Sequence, residues 1–214
     1  NLPNLYIVSD GMGGHKAGEY ASRYTVERVV ASSSRNHSRN PVKILREAIE
    51  KANEILGIEA DADESKKGMG TTIVAATIAK GKMCVANVGD SRLYVVNDAI
   101  TQITTDHSYV EEMIRRGNLE RENARSNPNK NIITRAVGAK NDIQVDIYVV
   151  ELKPGDLLLM CSDGLTNMVE DSEISLIIKK QRDVVEMAET LVNTANQNGG
   201  TDNVSVIVIK NERE

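Results

Sequence analysis

Four aspartates stand where short apolar segments begin or end, and carboxylates in such places can bind a metal. Asp10 and Asp163 each follow an apolar run and lie in the same tripeptide, Ser-Asp-Gly. Asp90 follows another apolar run, and Asp202 precedes the last one. Taken singly, an Asp beside a Gly is most often part of a turn. Only the joint placement of the four acids points to a shared site.

Strands that end at a common edge would bring these acids together. An uninterrupted apolar run, Leu157–Cys161, predicts a buried strand leading into one Ser-Asp-Gly, and Leu5–Val8 predicts a strand leading into the other. The last strand is predicted at residues 204–209. If it runs antiparallel to the other two, it begins at the edge where they end. The sequence therefore predicts that the four carboxylates converge on one pole.

Converging carboxylates beside an apolar core repel one another, and a bound cation offsets that repulsion. The donors here are oxygens, and the sequence has no Cys or His cluster at zinc spacing. Such a donor set suits Mg²⁺ or Mn²⁺ better than Zn²⁺. Calcium is an alternative by donor type, although no EF-hand loop pattern is present. We expect a magnesium or manganese site.

The remaining periodicity predicts helices on either side of a block of strands. One helix face runs through residues 17–24, and Asn40 with the following proline marks the start of a second helix. Short β-rich runs between residues 73 and 103 predict an antiparallel meander. Two more helices are predicted at 173–179 and 184–195. Because helices and strands do not alternate as βαβ units, the pattern indicates an α+β fold with antiparallel sheets covered by helix pairs.

Two polar segments are expected at the surface. Residues 57–70 are acidic and then basic, which predicts an exposed connection. Residues 105–131 are charged, contain Gly117 and Pro128, and have only a weak helical face. A polar segment of this length predicts a mobile insertion on the sheet scaffold.

Composition limits the class of function. With 214 residues, of which 40% are apolar, the chain can form one domain with its own core. The net charge of −5 and the absence of Trp and Phe argue against a nucleic-acid partner. No apolar run approaches the roughly 20 residues of a membrane-spanning helix, so no membrane association is expected. No exposed apolar stripe requires a partner, so we expect a monomer.

The two cysteines indicate a reducing compartment. Cys84 and Cys161 lie inside apolar runs and lack a Cys-x-x-Cys spacing. They are therefore expected to be buried free thiols. The cytoplasm is the location that fits best.

Seven motifs in a fixed order carry a family resemblance. They are Val8-Ser9-Asp10-Gly11-Met12-Gly13-Gly14-His15, Gly70-Thr71-Thr72, Val88-Gly89-Asp90-Ser91-Arg92, Thr105-Asp106-His107-Ser108, Ile133-Thr134-Arg135-Ala136-Val137-Gly138, Ser162-Asp163-Gly164-Leu165 and Gly200-Thr201-Asp202-Asn203. Between about residues 5 and 209 this series resembles that of the bacterial PP2C-type (PPM) metal-dependent protein serine/threonine phosphatases. Each motif alone is common, whereas the ordered series is specific.

The resemblance implies a four-layer α-β-β-α sandwich with a metal centre at one end of the sheets. By family analogy Asp10 bridges two metals and the Gly11 carbonyl completes the ligands of one. Asp163 and Asp202 would hold the other metal. Asp90 matches the position that, together with Asp163, holds a weaker third metal in bacterial members.

The resemblance also implies a single domain over residues 1–214, with a flap at about 106–135 beside the active site. The usual first strand of the family, with an Arg that grips the substrate phosphate and an Asn-Glu-Asp or Asn-Gln-Asp stretch, is not found in these residues. Arg92 is not expected to replace that Arg, because within Gly-Asp-Ser-Arg it is expected to pair inside the fold.

The implied reaction is metal-dependent hydrolysis of phosphoserine and phosphothreonine in proteins. A water between two divalent cations loses a proton near neutral pH and attacks phosphorus in line. His15 matches the family histidine near the metal loop and is a candidate general acid; the alternative is a loop histidine bound only to solvent. His107 is expected to orient the flap. The partners would be phosphorylated proteins, targets of a cognate Ser/Thr kinase.

Two other functions are compatible with the sequence. A pseudo-phosphatase would bind a phosphoprotein or a small ligand on the same scaffold without turnover. A structural metal-binding domain would lose thermal stability on chelation and bind no phosphate ester. Turnover of a phosphopeptide separates the enzyme from both.

Overall fold

The computed structural model describes residue 2, residues 4–140 and residues 142–212, and it leaves the side chain of His15 undescribed. In these residues the chain forms ten β-strands and six α-helices. In chain order they are β1 (Leu5–Val8), β2 (Gly11–Met12), α1 (His15–Arg35), α2 (Pro41–Ala62), β3 (Gly70–Thr71), β4 (Ile73–Ala79), β5 (Lys82–Val88), β6 (Arg92–Val96), β7 (Ile100–Gln102), α3 (Tyr109–Arg115), β8 (Asp146–Glu151), β9 (Leu157–Cys161), α4 (Asp163–Thr166), α5 (Asp171–Lys180), α6 (Val184–Gln197) and β10 (Val206–Lys210).

The longer strands form two antiparallel sheets of four. The first has the order β1-β4-β5-β8 and the second the order β10-β9-β6-β7. Strands β2 and β3 make a small separate ladder. In the second sheet β10 pairs antiparallel with β9, with Val206 opposite Cys161. The last strand therefore begins beside the end of β9, as predicted.

Three apolar clusters hold these sheets and the helices in four layers. The first sheet packs against α1 and α2 through one cluster, and the two sheets pack together through another. The third cluster joins the second sheet to α4, α5 and α6. Strand β9 shows the alternation behind this: Leu158 faces the first sheet, whereas Leu159 faces the helices. The expected α-β-β-α sandwich is confirmed.

Helix α2 begins as predicted but ends later. The Asn40 side chain accepts hydrogen bonds from the N–H groups of Val42 and Lys43, with proline at the first helical position. The helix then continues through Ala62, because Leu56 and Ala60 stay on its buried face at i, i+4 spacing. The prediction of an exposed connection over 57–70 is therefore wrong for its first part.

The predicted meander is divided between the two sheets. Strand β4 pairs with β5, and β6 pairs with β7, but β5 and β6 lie in different sheets. The turn Gly89-Asp90-Ser91 carries the chain from one sheet to the other, and Gly89 adopts a φ of 105° that favours glycine. Local periodicity predicts strands but does not say which of two sheets they join, so this part of the prediction is wrong.

The segment 106–135, called the flap below, stands apart from both sheets. It contains α3, whose N-terminus is capped by the Ser108 side chain, and a short 3₁₀ turn at Arg121–Asn123. Its two ends meet through the bridge between Ser108 and Ile133 and the hydrogen bond from Thr134 N–H to the His107 carbonyl at 2.7 Å. These contacts close the segment at its base, while its role as a flap and its mobility stay predictions.

Two expectations from composition concern the cysteines and the membrane. Cys84 and Cys161 are both buried and free, as predicted. Even the longest of the described helices lacks the apolar length that crossing a bilayer requires.

Candidate metal centre

Asp10 is held at its backbone by the hydroxyl groups of Thr71, in β3, and of Thr72, just before β4. The Ser9 hydroxyl donates to the Thr72 carbonyl at 2.8 Å, and the Thr71 hydroxyl donates to the Asp10 carbonyl at 2.7 Å. The Asp10 N–H donates to the Thr72 hydroxyl at 3.0 Å. These bonds fix the direction in which the chain leaves β1. The Asp10 carboxyl group is left for other contacts.

Asp163 is held by its own short helix. It is the first residue of α4, and Asn167 caps the other end. The Asn167 backbone N–H donates to the Asp163 carbonyl at 2.7 Å, and the Asn167 side-chain amide donates to Asp163 Oδ2 at 2.9 Å. The carboxylate is therefore oriented directly by a neighbour four residues on.

The serine before Asp163 brings in the segment that carries Asp202. The Ser162 hydroxyl donates to the Asn203 carbonyl at 3.2 Å and accepts from the Ser205 N–H at 3.0 Å. Asp202 is exposed, and its Oδ1 accepts the Asn203 N–H at 2.8 Å. The start of β10 and the end of β9 are thus joined through one side chain.

The glycines in the two Ser-Asp-Gly segments permit close backbone contacts. A Cβ at Gly11 would lie 1.9 Å from the carbonyl oxygen of Gly18 in α1. A Cβ at Gly164 would lie 2.2 Å from the carbonyl oxygen of Asn203. Both spacings are too short for any side chain. Each glycine therefore lets the chain beside its aspartate approach a second segment.

Asp90 lies in the turn that crosses between the sheets. The Ser91 hydroxyl forms a 2.7 Å hydrogen bond with the Thr72 hydroxyl, which also accepts from Asp10. The Gly89 N–H donates to His107 Nδ1 at 3.0 Å, and the His107 N–H donates to the Gly89 carbonyl at 2.9 Å. The turn is thus tied both to the Asp10 segment and to the base of the flap.

The carboxyl groups at this pole oppose one another's ionisation. Burial, together with the charges of Asp163 and Asp202, raises the pKa of Asp10 to about 7, and a hydrogen bond with Asp163 contributes. Burial and the charge of Asp202 also raise the pKa of Asp163. Burial, followed by the charges of Asp163 and Asp106, raises the pKa of Asp90 to about 7. These shifts indicate that the acids lie near enough for their charges to act on one another.

The four carboxylates are donors of the type that a divalent cation binds, but they are not arranged as a complete coordination shell. Among the described residues, no three His, Cys, Asp or Glu side chains meet closely enough to hold an ion as they stand. On each of Asp10, Asp90 and Asp163, the charge of at least one other of the four acids acts to raise the pKa. Among the described side chains, no Lys or Arg forms an ion pair with any of the four aspartates. Oxygen donors with unneutralised charge are what Mg²⁺ and Mn²⁺ prefer.

Arg92 is engaged inside the fold, as expected. Its guanidinium forms a two-pronged ion pair with Asp106, with a shortest N–O distance of 2.7 Å, and donates to the Tyr94 hydroxyl at 3.0 Å. His107 contacts Asp146 at 3.1 Å through Nε2, in addition to its contacts with Gly89. The expectation that His107 orients the flap agrees with these contacts. His15 begins α1, but its side chain lies outside the described part of the structure.

A cleft of about 510 Å³ opens beside the acids, between the flap and helices α4 and α5. Asp90, Asp163 and Asn167 lie on its core side. Arg125 and Lys130 of the flap lie on the other. The cleft therefore adjoins Asp90 and Asp163, and its lining carries charged side chains of both signs.

The sequence did not reveal the residues that hold the acids. Thr71, Thr72 and Ser91 lay in the motifs but had no role assigned from their own chemistry. Asn167 was not singled out at all. Its signal was available, because a residue four positions after Asp163 shares its helix face.

Comparison with known proteins decides the family. A model of the protein phosphatase 2C family matches residues 1–204. The chain belongs to this family. A serine/threonine phosphatase, stp, from Listeria welshimeri is 40% identical over 212 residues, covering 96% of this chain and 84% of the relative.

Solved structures of PP2C phosphatases agree in fold. Stp1 from Staphylococcus aureus matches with a TM-score of 0.93 and 36% identity, over 98% of this chain and 84% of that one. The catalytic domain of the phosphatase PstP, solved with two manganese ions, matches with a TM-score of 0.86 and 31% identity, over 95% and 86% of the two chains. The PP2C family resemblance expected from the seven motifs is confirmed.

Proposed function

We propose that residues 1–214 form a single PP2C-type domain that hydrolyses phosphoserine and phosphothreonine in proteins. The observation that carries this proposal is that acids from opposite ends of the chain lie close enough for the charges of Asp163 and Asp202 to help burial raise the pKa of Asp10, while Asp163 lines a cleft open to solvent. Relatives named as serine/threonine phosphatases, similar over most of the chain, support the reaction class.

The metal ligands in this proposal are oxygens from both Ser-Asp-Gly segments and from the start of β10. Asp10 and the Gly11 carbonyl would hold one ion, and Asp163 and Asp202, together with Asp10, would hold the second. Asp90, with Asp163, is the ligand for a third. Bound there, Mg²⁺ or Mn²⁺ would lower the pKa of water and neutralise charge on the phosphoryl oxygens. The PstP structure, solved with two manganese ions, supports a two-metal centre.

The residues of this chain supply orientation and a proton. The hydroxyls around Asp10 hold its backbone, and the amide of Asn167 holds the Asp163 carboxylate, so that little reorganisation is needed when the charge of the phosphoryl group enters. His15 is the candidate donor of a proton to the leaving Ser or Thr oxygen. Arg92 remains bound to Asp106 and takes no part in gripping the phosphate.

The partners follow from the reaction. The substrates are phosphorylated proteins, and a cognate Ser/Thr kinase would produce them. We propose that the protein works as a monomer and in the cytoplasm, where the two buried thiols stay reduced. No nucleic acid and no membrane takes part.

The test is release of phosphate from a phosphothreonine peptide in the presence of Mn²⁺. Chelation with EDTA and the Asp163→Asn change should each lower kcat/KM by about 1,000-fold, since several kcal/mol of charge stabilisation are lost. Asp98→Asn, at an exposed aspartate in the β6–β7 turn, is the matched control and should leave the rate unchanged. Full activity in Asp163→Asn would refute the proposal. Peptide binding without turnover in the unchanged protein would instead favour the pseudo-phosphatase.

A further inference from the structure

Asn167 holds Asp163 twice. Its backbone N–H closes the short helix α4 on the Asp163 carbonyl at 2.7 Å, and its side-chain amide donates to Asp163 Oδ2 at 2.9 Å. A carboxylate only accepts hydrogen bonds, so the amide nitrogen must face it. The amide therefore fixes Asp163 Oδ2, and it leaves Asp163 Oδ1 without a bond to Asn167. The bond also favours the ionised form of Asp163, lowering its pKa against the effect of burial.

Arg125 reaches from the flap to the same residue. Its Nη2 donates to the Asn167 carbonyl at 3.0 Å, and its Nη1 lies 3.4 Å from the Val169 carbonyl. These carbonyls stand at the C-terminal end of α4, where unpaired carbonyl groups favour a cation. The contact joins positions more than 40 residues apart in sequence.

This contact is separate from those at the base of the flap. The base is held to the sheets by His107, whose partners are Gly89 and Asp146. Arg125 lies beyond α3 and the 3₁₀ turn, and it lines the cleft together with Asn167 and Asp163. The Arg125 contact therefore lies at the edge of the cleft that Asp163 lines.

We propose that Asn167 is a positioning residue for Asp163, and that Arg125 fastens the flap to Asn167, so that flap position and metal affinity are coupled through this one residue. The inference rests on the proposed function only in taking Asp163 as a metal ligand. Residues that orient a ligand through hydrogen bonds are commonly as sensitive to mutation as the ligands themselves.

The first experiment measures Mn²⁺ binding to the metal-free protein by titration calorimetry. Asn167→Ala should weaken the affinity about 10-fold, as is typical when a hydrogen bond to a metal ligand is removed. Asn198→Ala is the matched control: its side-chain amide donates to the Met168 carbonyl in the same segment at 3.0 Å, and it touches no site aspartate. Its affinity should be unchanged. If Asn167→Ala fails to fold, Asn167→Leu keeps the volume of the side chain and removes only the donor.

The second experiment tests the link to the flap. Arg125→Met should weaken Mn²⁺ binding about 3-fold, a typical size for a change that acts through an intervening residue. Arg116→Met removes a flap arginine that pairs only with Glu112 among the described side chains, and it should have no effect. In the Asn167→Ala background, Arg125→Met should cause no further loss, because the side chain that transmits it is gone.

A positioning role also predicts rescue by metal. At saturating Mn²⁺, Asn167→Ala should recover kcat to within about 3-fold of the unchanged protein, since the ligand itself is intact. Loss of kcat that no Mn²⁺ concentration restores would indicate a purely structural defect and would overturn the proposal.

Two results would overturn the proposal while leaving the phosphatase assignment intact. One is wild-type Mn²⁺ affinity in Asn167→Ala and Asn167→Leu, together with loss of binding in Asp163→Asn. The other is a loss of Mn²⁺ affinity on Arg125→Met that is equally large in the unchanged protein and in the Asn167→Ala background. By contrast, wild-type Mn²⁺ binding in Asp163→Asn would reject the proposed ligand set, and with it both proposals.

Discussion

The two Ser-Asp-Gly segments have the same letters and are held in different ways. At Asp10 the backbone is fixed by hydroxyls of Thr71 and Thr72, and the chain continues as a strand, β2. At Asp163 the chain turns into a helix, and the carboxylate itself is fixed by the amide of Asn167. The same tripeptide thus presents a carboxyl group from a rigid strand end in one case and from a short helical turn in the other.

The difference shows where the precision of the site comes from. A tripeptide supplies a carboxylate and a glycine that allows close contact, but residues far along the chain decide where the carboxylate points. The anchors of the first segment are Thr71 in β3 and Thr72 just before β4, the strand that pairs with β1. The second borrows from its own helix and from the loop before β10. Mutations in the two segments should therefore differ in what they change.

The largest effect tests whether the two aspartates are equivalent in chemistry. Asp10→Asn should lower Mn²⁺-dependent phosphate release by about 1,000-fold, as much as Asp163→Asn, because each removes a charge that a cation needs. Initial rates on a phosphothreonine peptide measure this. A loss below about 10-fold at Asp10 would mean that only the second segment carries the metal site.

The two glycines should separate stability from metal binding. Gly11→Ala forces a Cβ against the Gly18 carbonyl inside α1, which cannot move alone, and should cost about 3 kcal/mol of unfolding free energy. Gly164→Ala meets the Asn203 carbonyl in a loop, so we expect about 1 kcal/mol. Because that loop carries Asp202, however, Gly164→Ala should weaken Mn²⁺ binding.

Urea unfolding in EDTA and Mn²⁺ calorimetry give the two quantities for each glycine variant. The reverse order of stabilities would contradict the rigid-helix and movable-loop assignments. Equal Mn²⁺ affinities would show that the approach of the β10 loop does not matter for the metal.

The hydroxyl anchors should differ by a smaller amount. Thr72→Val keeps the shape of the side chain but leaves the Asp10 N–H and the Ser91 hydroxyl without their partner, and should cost about 2 kcal/mol. Ser162→Ala removes one hydroxyl between β9 and the β10 loop and should cost about 1 kcal/mol. Thr101→Val, at an exposed threonine of β7, serves as the control in the same urea unfolding measurement. A Thr72→Val protein as stable as the control would show that the Thr72 hydroxyl does not stabilise the Asp10 segment.

The smallest effect is a pH dependence at the base of the flap, beside the Gly89–Asp90 turn. Burial lowers the pKa of His107, so the folded protein takes up a proton at lower pH than the unfolded chain. His107 therefore does not affect stability above the pKa of about 6.5 that it has in the unfolded chain. As pH falls below that value and through the lower pKa of the folded protein, stability is lost. His107→Gln removes this loss, so the stability difference between the two proteins should shrink between pH 7 and pH 5.

Urea unfolding at several pH values measures this difference. His37→Gln, in the exposed loop before α2, is the control and should follow the unchanged protein at every pH. Parallel curves for the unchanged protein and His107→Gln would mean that the histidine does not titrate with folding.

Much of the fold was predictable because short-range sequence patterns determine where its strands and helices begin and end. The run Leu157–Cys161 and the Asn40 cap are short-range signals, and both elements lie where predicted. The assignment of β5 and β6 to different sheets was not predictable, since it depends on packing between the sheets and not on the residues of the turn. The aspartates of the site could be predicted because they lie at strand ends. The side chains that hold them could not be predicted in this way. Thr72 is a polar side chain before a strand, and nothing in its neighbours reveals that it faces Asp10.

The topology has a consequence for how the protein becomes competent during synthesis. The acids lie on segments made early, midway and last, and Asp202 comes just before the strand that completes the second sheet. A nascent chain still on the ribosome before that strand has emerged already contains Asp10, Asp90 and Asp163, yet lacks one side of the pocket. Catalytic competence should therefore arise only after β10 has been made, and fragments that end before it should be inert toward phosphoproteins.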